Sequence, residues 1–465
     1  MCTYKFPMWE VIGLGKAGIA AARLALVGGA SVLAIDQNED LEPLEQNSLF
    51  EKHSSVKTIL GHIISNLPRD ADKVVVSPGV PLENYGLPLL SQSGKHAMSK
   101  LEFAAEVLPR CTKILAITGT NGKSTVATFS GQMLNHSDVK TFIGGNIGTP
   151  LSELSLQCIQ SAGRDPIFKA SMLSWVAVVE ISSYQLELLH KYFCPSVAVI
   201  LNLTLHHLEK HKTMENYVLM KCWILSHMNN CKMGVLPLGN QYLNDAVWRS
   251  ANDFNPAWIG AYPGVRLTNI RKCCIVQISY RLIRAVGQVS ELQLGAMETI
   301  GAHNYHNAAV AALSVIGLDI GIDAEKLSSA IGKLKVPPHR MQIVHRDNHG
   351  VIWVDDGKAT NVKATYTGLM GHKIQKLVVL LGGLAKFGYS GMMIQKTLSA
   401  NGLSIPCMRA TTLEDAVNKA RTMATYGDAI VLSLGRASFD EFKNFEHRGM
   451  SFQGWLLHKN NSVYG

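Results

Sequence analysis

Residues 114–125 read Ile-Leu-Ala-Ile-Thr-Gly-Thr-Asn-Gly-Lys-Ser-Thr: an apolar β-type run, a glycine turn, then helix-compatible sequence. A strand passing through such a turn into a helix is a building block of α/β folds. Gly119 and Gly122 let the backbone turn tightly. The N–H groups of Thr120, Asn121 and their neighbours can then point at phosphate oxygens. The following helix brings its positive dipole end to the same place. Lys123 adds a point charge for β- and γ-phosphates, and the hydroxyl of Ser124 or Thr125 suits Mg²⁺. The spacing G-x-x-G-K-S-T is a variant of the nucleotide pattern, because Ile117 stands where the strict form has glycine. The plainer alternative, a glycine turn before a surface helix, fits the strand–turn–helix context less well.

A chain of 465 residues, 47% of them hydrophobic, has material for about three domains with ample core. Its formal net charge of +9 comes from scattered basic residues. An anionic small molecule or a generally basic background accounts for that charge better than a nucleic-acid surface. Nine cysteines, an odd number without a C-x-x-C pair, fit a reducing compartment. They argue against a disulfide framework and a structural zinc site. Glu10, Lys16 and Arg23 interrupt the early apolar residues, so no signal peptide is expected. No apolar run is long enough to span a membrane. The expected setting is the cytoplasm.

Three alternating α/β segments follow from the pattern. The first runs from a strand at residues 9–12 through Gly13-Leu-Gly-Lys-Ala-Gly18 and an Ala/Leu-rich helix to a strand ending at Asp36. A later strand at 74–76 ends in Ser-Pro-Gly79, and the unit is read as residues 1–106. The second segment, 107–336, opens with the phosphate loop. It has buried-strand candidates at 175–181 and 196–201, a less regular strand-prone part at 233–294, and a helix at 302–316. Residues 155–174 read as an irregular insertion. Pro337-Pro338 breaks the chain before a third unit, 337–465. Its strands are read at 351–355, 377–381 and 429–432, with a helix at 413–424. The expected fold is α/β with three domains: an N-terminal Rossmann-like domain, a central phosphate-loop ATPase-type parallel sheet and a C-terminal Rossmann-like domain.

Chemistry-bearing residues gather at the expected strand ends. The G-x-G-x-x-G turn with Asp36 suits a dinucleotide or another phosphate-bearing ligand, and a nicotinamide-dependent oxidoreductase is one alternative. Glu180 ends one apolar strand, and His207 follows the next, on the edge of the phosphate loop. Glu180 is the better Mg²⁺ ligand, since that ion prefers oxygen. Lys221 lies on an apolar helical face; it either snorkels to solvent or, held near a metal and desolvated, becomes reactive. Asn304 and Asn307 share a face at a helix start. Capping explains one of them; recognition of a nucleobase or ribose explains both. Asp356 and Lys358, the lysine of Gly-Gly-Leu-Ala-Lys386, and residues 437–449 follow three further strands.

Together these motifs resemble the Mur ligases, the ATP-dependent amino-acid-adding enzymes of peptidoglycan synthesis. The resemblance rests on T-G-T-N-G-K-S-T, the G-G-N-I-G of 144–148, E-I-S-S-Y-Q-L-E, H-N-Y-x-N, P-H-R and D-x-K-A-T-N, in order along nearly the whole chain. The N-terminal G-L-G-K-A-G and the C-terminal S-F-D-E-F-K-N-F-E-x-R-G point to the D-glutamate-adding branch. The resemblance implies that the first turn (Gly13, Gly15, Lys16, Ala17), with Asp36, Gln37 and Gly79, holds the UDP part of UDP-N-acetylmuramoyl-L-alanine. It implies that the phosphate loop binds ATP, with Asn304, Asn307, Arg340 and Asp356 contacting the nucleotide. Ser124, Glu180, His207 and Lys221 would serve two Mg²⁺ ions, Lys221 as a carbamate. Lys123, Lys221 and His207 form the implied catalytic set. Asn146 and Ser182 would touch the muramoyl substrate. Lys358, Thr360, Lys386, Ser438, Phe439 and Phe445 would form the D-glutamate pocket. A monomer is expected.

The chain departs from the family pattern in places. Leu205 and His206 replace a Pro or polar residue and an Asp before the metal His. Gly357 replaces Ser. Leu434-Gly-Arg436 replaces a Pro-Ala-Cys-like turn, and Met98-Ser-Lys100 replaces a Gly-Asp-type turn before Glu102. A non-catalytic Mur-like binding protein is therefore the other alternative.

Overall fold

The computed structural model describes residues 7–61, 71–81, 97–146, 148–162, 175–188, 191–204, 208–229, 232–237, 240, 242–250, 255–259, 294–297, 302–359, 362–370, 376–381, 396, 406–433, 442 and 445–457. Packing divides the chain into two compact units: Met1–Gln293 with Ala308–Ile331, and Leu294–Asn307 with Gly332–Gly465.

The first unit carries two parallel sheets. In the first, β1 (Met8–Ile12) leads through α1 (Lys16–Val27) to β2 (Ser31–Asp36), β3 (Val56–Leu60), β4 (Lys73–Val76), β5 (Ala97–Ser99) and α2 (Lys100–Val107). The strand order is β3-β2-β1-β4-β5. Ile12 pairs with Ile35 on one side and Val76 on the other. The chain thus leaves β1 at the point where strand order reverses, the crevice where open α/β sheets take ligands. Buried Ala21, Ala22 and Ala25 keep α1 close to the sheet. Ser99 caps α2 by accepting the Glu102 N–H at 3.1 Å.

The second sheet follows with β6 (Lys113–Thr118), α3 (Lys123–His136), β7 (Thr141–Gly145), α4 (Leu151–Ala162), β8 (Val176–Glu180), β9 (Val197–Ile200), α5 (Leu208–His211), α6 (Met214–Cys222), β10 (Met233–Pro237), α7 (Leu243–Ser250), β11 (Asn255–Ile259), α8 (Ala302–Ile316) and α9 (Ala324–Ile331). Its order is β11-β10-β9-β6-β8-β7, parallel throughout. Every residue of β8 and β9 is buried, which is why both read as unbroken apolar runs.

The region expected to be an irregular insertion is helical as far as Ala162. Its serines hid the pattern. Leu151, Leu154 and Leu156 are buried, and Ser155 Oγ donates to Ala104 O at 2.8 Å. Residues 163–174 lie outside the described set. Helix α4 packs on α1 and α2, with Arg23 Nη1 3.0 Å from Glu153 Oε1. Glu102, 1% exposed, accepts the backbone N–H groups of Lys191, Tyr192 and Phe193. These contacts join the layers of the two sheets within one unit.

The second unit holds β12 (Gln342–Arg346), β13 (Ile352–Asp355), α10 (Val362–Met370), β14 (Leu377–Leu380), α11 (Leu413–Met423), β15 (Ala429–Leu432) and α12 (Phe445–Leu457). The order is β12-β13-β15-β14, with β12 antiparallel and bulged and the rest parallel. Trp353 and Phe452 anchor its core, both fully buried. The start of α8 belongs to this unit.

Candidate active site

β6 ends at Thr118, and the chain turns through Gly119, Thr120, Asn121 and Gly122 into α3. Gly122 has a left-handed φ of 88°, and a Cβ on Gly119 would lie 2.7 Å from Leu201 Cβ. Neither position tolerates a side chain without strain. Asn202, just after β9, clips the loop from outside. Its Oδ1 accepts the Asn121 N–H at 3.0 Å, and its Nδ2 donates to Asn121 O at 3.0 Å. Thr120 Oγ1 accepts the Thr204 N–H at 3.0 Å and shares a hydrogen bond with Tyr217 Oη at 3.0 Å. Lys123 Nζ donates to Gly119 O and Thr120 O at 3.1 and 2.9 Å. The loop is therefore shaped in advance by its neighbours.

Register brings the acid to the loop. Ile117 pairs with Glu180, so the end of β8 lies beside the start of α3. Ser124 Oγ donates to Glu180 Oε2 at 2.7 Å, and Asn146 Nδ2 donates to Glu180 Oε1 at 3.1 Å. Glu180 is 2% exposed, and among the described residues it has no ion pair. A buried carboxylate with a hydroxyl against it is a hard-oxygen donor set, which suits Mg²⁺. Thr125 is buried on the same turn of α3. Ser182, just beyond β8, turns back on Gln185: its N–H and Oγ both lie within hydrogen-bond distance of Gln185 Oε1.

Lys221 on α6 is 2% exposed, which excludes the snorkelling alternative. Its Nζ donates to Thr118 Oγ1 at 3.3 Å and lies 4.8 Å from the centre of the Tyr217 ring. Burial holds this amine well below the ordinary lysine range, the charge of Lys123 adds to that, and Glu180 opposes it. A neutral amine is the form that reacts with electrophiles.

In the first glycine turn, the Asp36 carboxylate accepts the Leu14 N–H and, at 2.9 Å, the Asn38 N–H, so it shapes the turn. Gly13 has φ 84°, and its carbonyl accepts from Ser77 Oγ at 2.9 Å and from Lys100 Nζ. Gly15, Lys16, Gln37 and Gly79 are exposed at the same edge, with Ala17 half-buried.

In the second unit, Asn304 and Asn307 are both buried at the start of α8. Neighbouring His303 is pushed down to about 4 by burial and by the positive charge of Arg340. Asp356 accepts the Met341 N–H at 3.2 Å and Ser433 Oγ at 2.9 Å. Burial pushes Asp356 up to about 6, against the pull of those bonds and of Arg340. Lys358 Nζ lies 5.0 Å from the centre of the Phe445 ring. Buried Arg448 donates to Gly357 O, and His339 Nδ1 lies 2.7 Å from Asp355 Oδ2. His207, Thr360, Lys386, Ser438 and Phe439 lie outside the described residues, as do Leu205, His206 and Arg436.

Sequence reasoning passed over Thr118, Asn202, Tyr217 and Ser433, and it marked Lys100 only as part of an altered turn. Asn202 sits at a strand end beside the loop, and Tyr217 lies one helical turn before Lys221; both positions were visible signals.

A parallel sheet that ends in a clipped phosphate loop, with a buried carboxylate and a buried lysine beside it and α/β layers around it, defines a multidomain nucleotide-phosphate-binding protein. Two family models match: "Mur ligase middle domain" at residues 117–315 and "Mur ligase MurD-like, N-terminal domain" at residues 8–99. The second match covers the first glycine turn and leaves the nicotinamide alternative without support. The UDP-N-acetylmuramoylalanine–D-glutamate ligase of Koribacter versatilis is 31% identical over 460 residues, covering 95% of each chain. That of Acidobacterium capsulatum is 32% identical, covering 96% of this chain and 95% of its own. Among solved structures, UDP-N-acetylmuramate-alanine ligase MurC from Thermotoga maritima aligns with a TM-score of 0.55 at 16% identity, covering 97% of this chain and 99% of its own. MurF ligase from the same organism, in complex with ADP, aligns at 0.53 and 17%, covering 98% and 96%. The chain belongs to the Mur ligase family, and it has that family's three-domain α/β fold.

Proposed function

We propose that the protein is an ATP-dependent ligase that joins D-glutamate to UDP-N-acetylmuramoyl-L-alanine in peptidoglycan precursor synthesis. It would work as a cytoplasmic monomer, using two Mg²⁺ ions. Relatives that carry this name match the chain nearly end to end. The observation that carries the reading is the junction of the phosphate loop with Glu180 through Ser124, beside the buried amine of Lys221. No helix among the described residues is long and apolar enough to cross a membrane.

In this mechanism the substrate carboxylate attacks the γ-phosphorus of ATP, giving an acyl phosphate and ADP. The amine of D-glutamate then attacks the acyl carbon, and the tetrahedral adduct expels phosphate to leave the amide. Bound Mg²⁺ would offset phosphate charge. Ser124, Glu180 and His207 would hold it, together with Lys221 if that amine adds CO₂ to become an anionic carbamate, releasing a proton. The loop amides and Lys123 steady the phosphoryl oxygens in a site already shaped by Asn202 and Thr204. Asn304, Asn307, Arg340 and Asp356 are assigned to the nucleotide. Asn146 and Ser182 go to the muramoyl substrate. Lys358, Thr360, Lys386, Ser438, Phe439 and Phe445 go to D-glutamate.

Phosphate release from ATP with UDP-N-acetylmuramoyl-L-alanine, with and without D-glutamate and with L-glutamate as control, tests the proposal. Release that requires D-glutamate supports it. No release with both substrates bound favours the non-catalytic alternative.

A further inference from the structure

Lys100 opens α2 directly after β5 and is 4% exposed. Its Nζ donates to Gly13 O and Ser77 Oγ. A Cβ on Gly18 would lie 2.5 Å from that amine. The amine is therefore wedged under the first glycine turn, between the ends of β1 and β4 and the start of α1. Both acceptors are neutral, and among the described residues Lys100 forms no ion pair. The charged groups on the surrounding elements are few. Asp36 on β2 is engaged by the amides of Leu14 and Asn38. Glu102 on α2 is engaged by the amides of Lys191, Tyr192 and Phe193. Glu10 on β1 is buried, and Lys16 on α1 is exposed.

A buried cation without a counter-ion is costly, and an arriving anion offsets that cost. Burial lowers the Lys100 ammonium to about 7, with Asp36 opposing. Both protonation states are thus within reach at working pH.

We propose that Lys100 is a positioning residue for the anionic ligand of the first turn: its ammonium holds the Gly13 carbonyl and supplies the positive charge that a nucleotide diphosphate completes, so that binding takes up a proton. The inference rests on the reading that this turn holds the UDP part of the substrate.

The test is calorimetric titration of the full chain with UDP-N-acetylmuramoyl-L-alanine, whose diphosphate diester does not titrate between about pH 6 and 8.5. Buffers of low and high ionisation enthalpy are compared at pH 7.5. The wild type is expected to take up a fraction of a proton, and its affinity to weaken roughly tenfold from pH 6 to 8.5. Lys100→Arg should bind tightly across the range without proton uptake, and Lys100→Met weakly across it. ADP titration of each variant reports whether the second phosphate loop is intact. Binding by the wild type without proton uptake, or an unchanged pH profile in Lys100→Met, overturns the role of Lys100 and leaves the first turn as the UDP site. No binding by the wild type at any pH overturns the reading of that turn and the inference with it.

Discussion

Ser124 and Glu180 meet at 2.7 Å, the hydroxyl donating to the carboxylate, although they come from opposite sides of a strand pairing between β6 and β8. This contact ties the start of the phosphate-loop helix to the acid at the end of the neighbouring strand. Ser124→Ala should lower kcat/KM for D-glutamate-dependent phosphate release by about 10–100-fold. Glu180→Gln keeps the shape and removes the charge, and should cost about 100–1,000-fold. Steady-state assays at varied Mg²⁺ check both, and Glu180→Gln should need more Mg²⁺ for half-maximal rate.

Lys221 should make the enzyme depend on CO₂. Burial holds its amine well below the ordinary lysine range, which favours the neutral form that adds CO₂, and carbamate formation releases a proton. Activity should fall when protein is stripped of CO₂ at mildly acidic pH and return on adding bicarbonate at pH 8. Lys221→Met should be inactive with or without bicarbonate. A wild-type enzyme indifferent to CO₂ would remove the carbamate from the mechanism.

Asp356 sets a pH signature on stability. Its carboxyl is raised from 3.8 to about 6, so the folded state holds this proton more firmly than the unfolded one. The resulting stability is complete below pH 4 and is lost as pH rises through about 6. Asp356→Asn removes that loss. The variant should be more stable than wild type above pH 7 by about 2–3 kcal/mol, with no difference near pH 4. Thermal melts at both pH values read this, while ATP affinity should drop.

Glu102 accepts three consecutive backbone N–H groups at residues 191–193. Glu102→Ala strands them, that of Phe193 in a buried place and those of Lys191 and Tyr192 in part-buried ones. The cost should be about 3–5 kcal/mol, seen as a lower urea midpoint of the first unit. Glu102→Gln retains acceptance by one oxygen and should lose less. Equal losses for the two variants would mean that the charge, and not the missing acceptor, carries the stabilisation.

The most local features were legible in the sequence. The phosphate loop, the first glycine turn and the strands of the apolar runs declare themselves by composition. The helix Ala302–Ile316 and the strand Ala429–Leu432 lie where the pattern puts them. Features decided at a distance were not legible. Helix α4 was hidden because Ser155 is satisfied by a carbonyl of another helix. The short strands β3, β5 and β7 depend on neighbours for their pairing. The bond from the Leu14 N–H to Asp36 spans 22 residues, and nothing in the segment around Asp36 announces it. Lys100 follows a serine cap at the start of a helix, where a lysine ordinarily faces water; only the assembled turn buries it.

The bond set of Glu102, together with the Arg23–Glu153 pair, has a consequence for recombination. A segment exchanged with a relative at the edge of residues 8–99 would separate Arg23 from Glu153 and the α2 cap from Glu102. Domain-swapped chimaeras of this chain should therefore fold only when positions 23, 99, 102, 153 and 191–193 travel as one inherited block. The workable crossover points lie on the far side of β9, well downstream of where a domain diagram would put them.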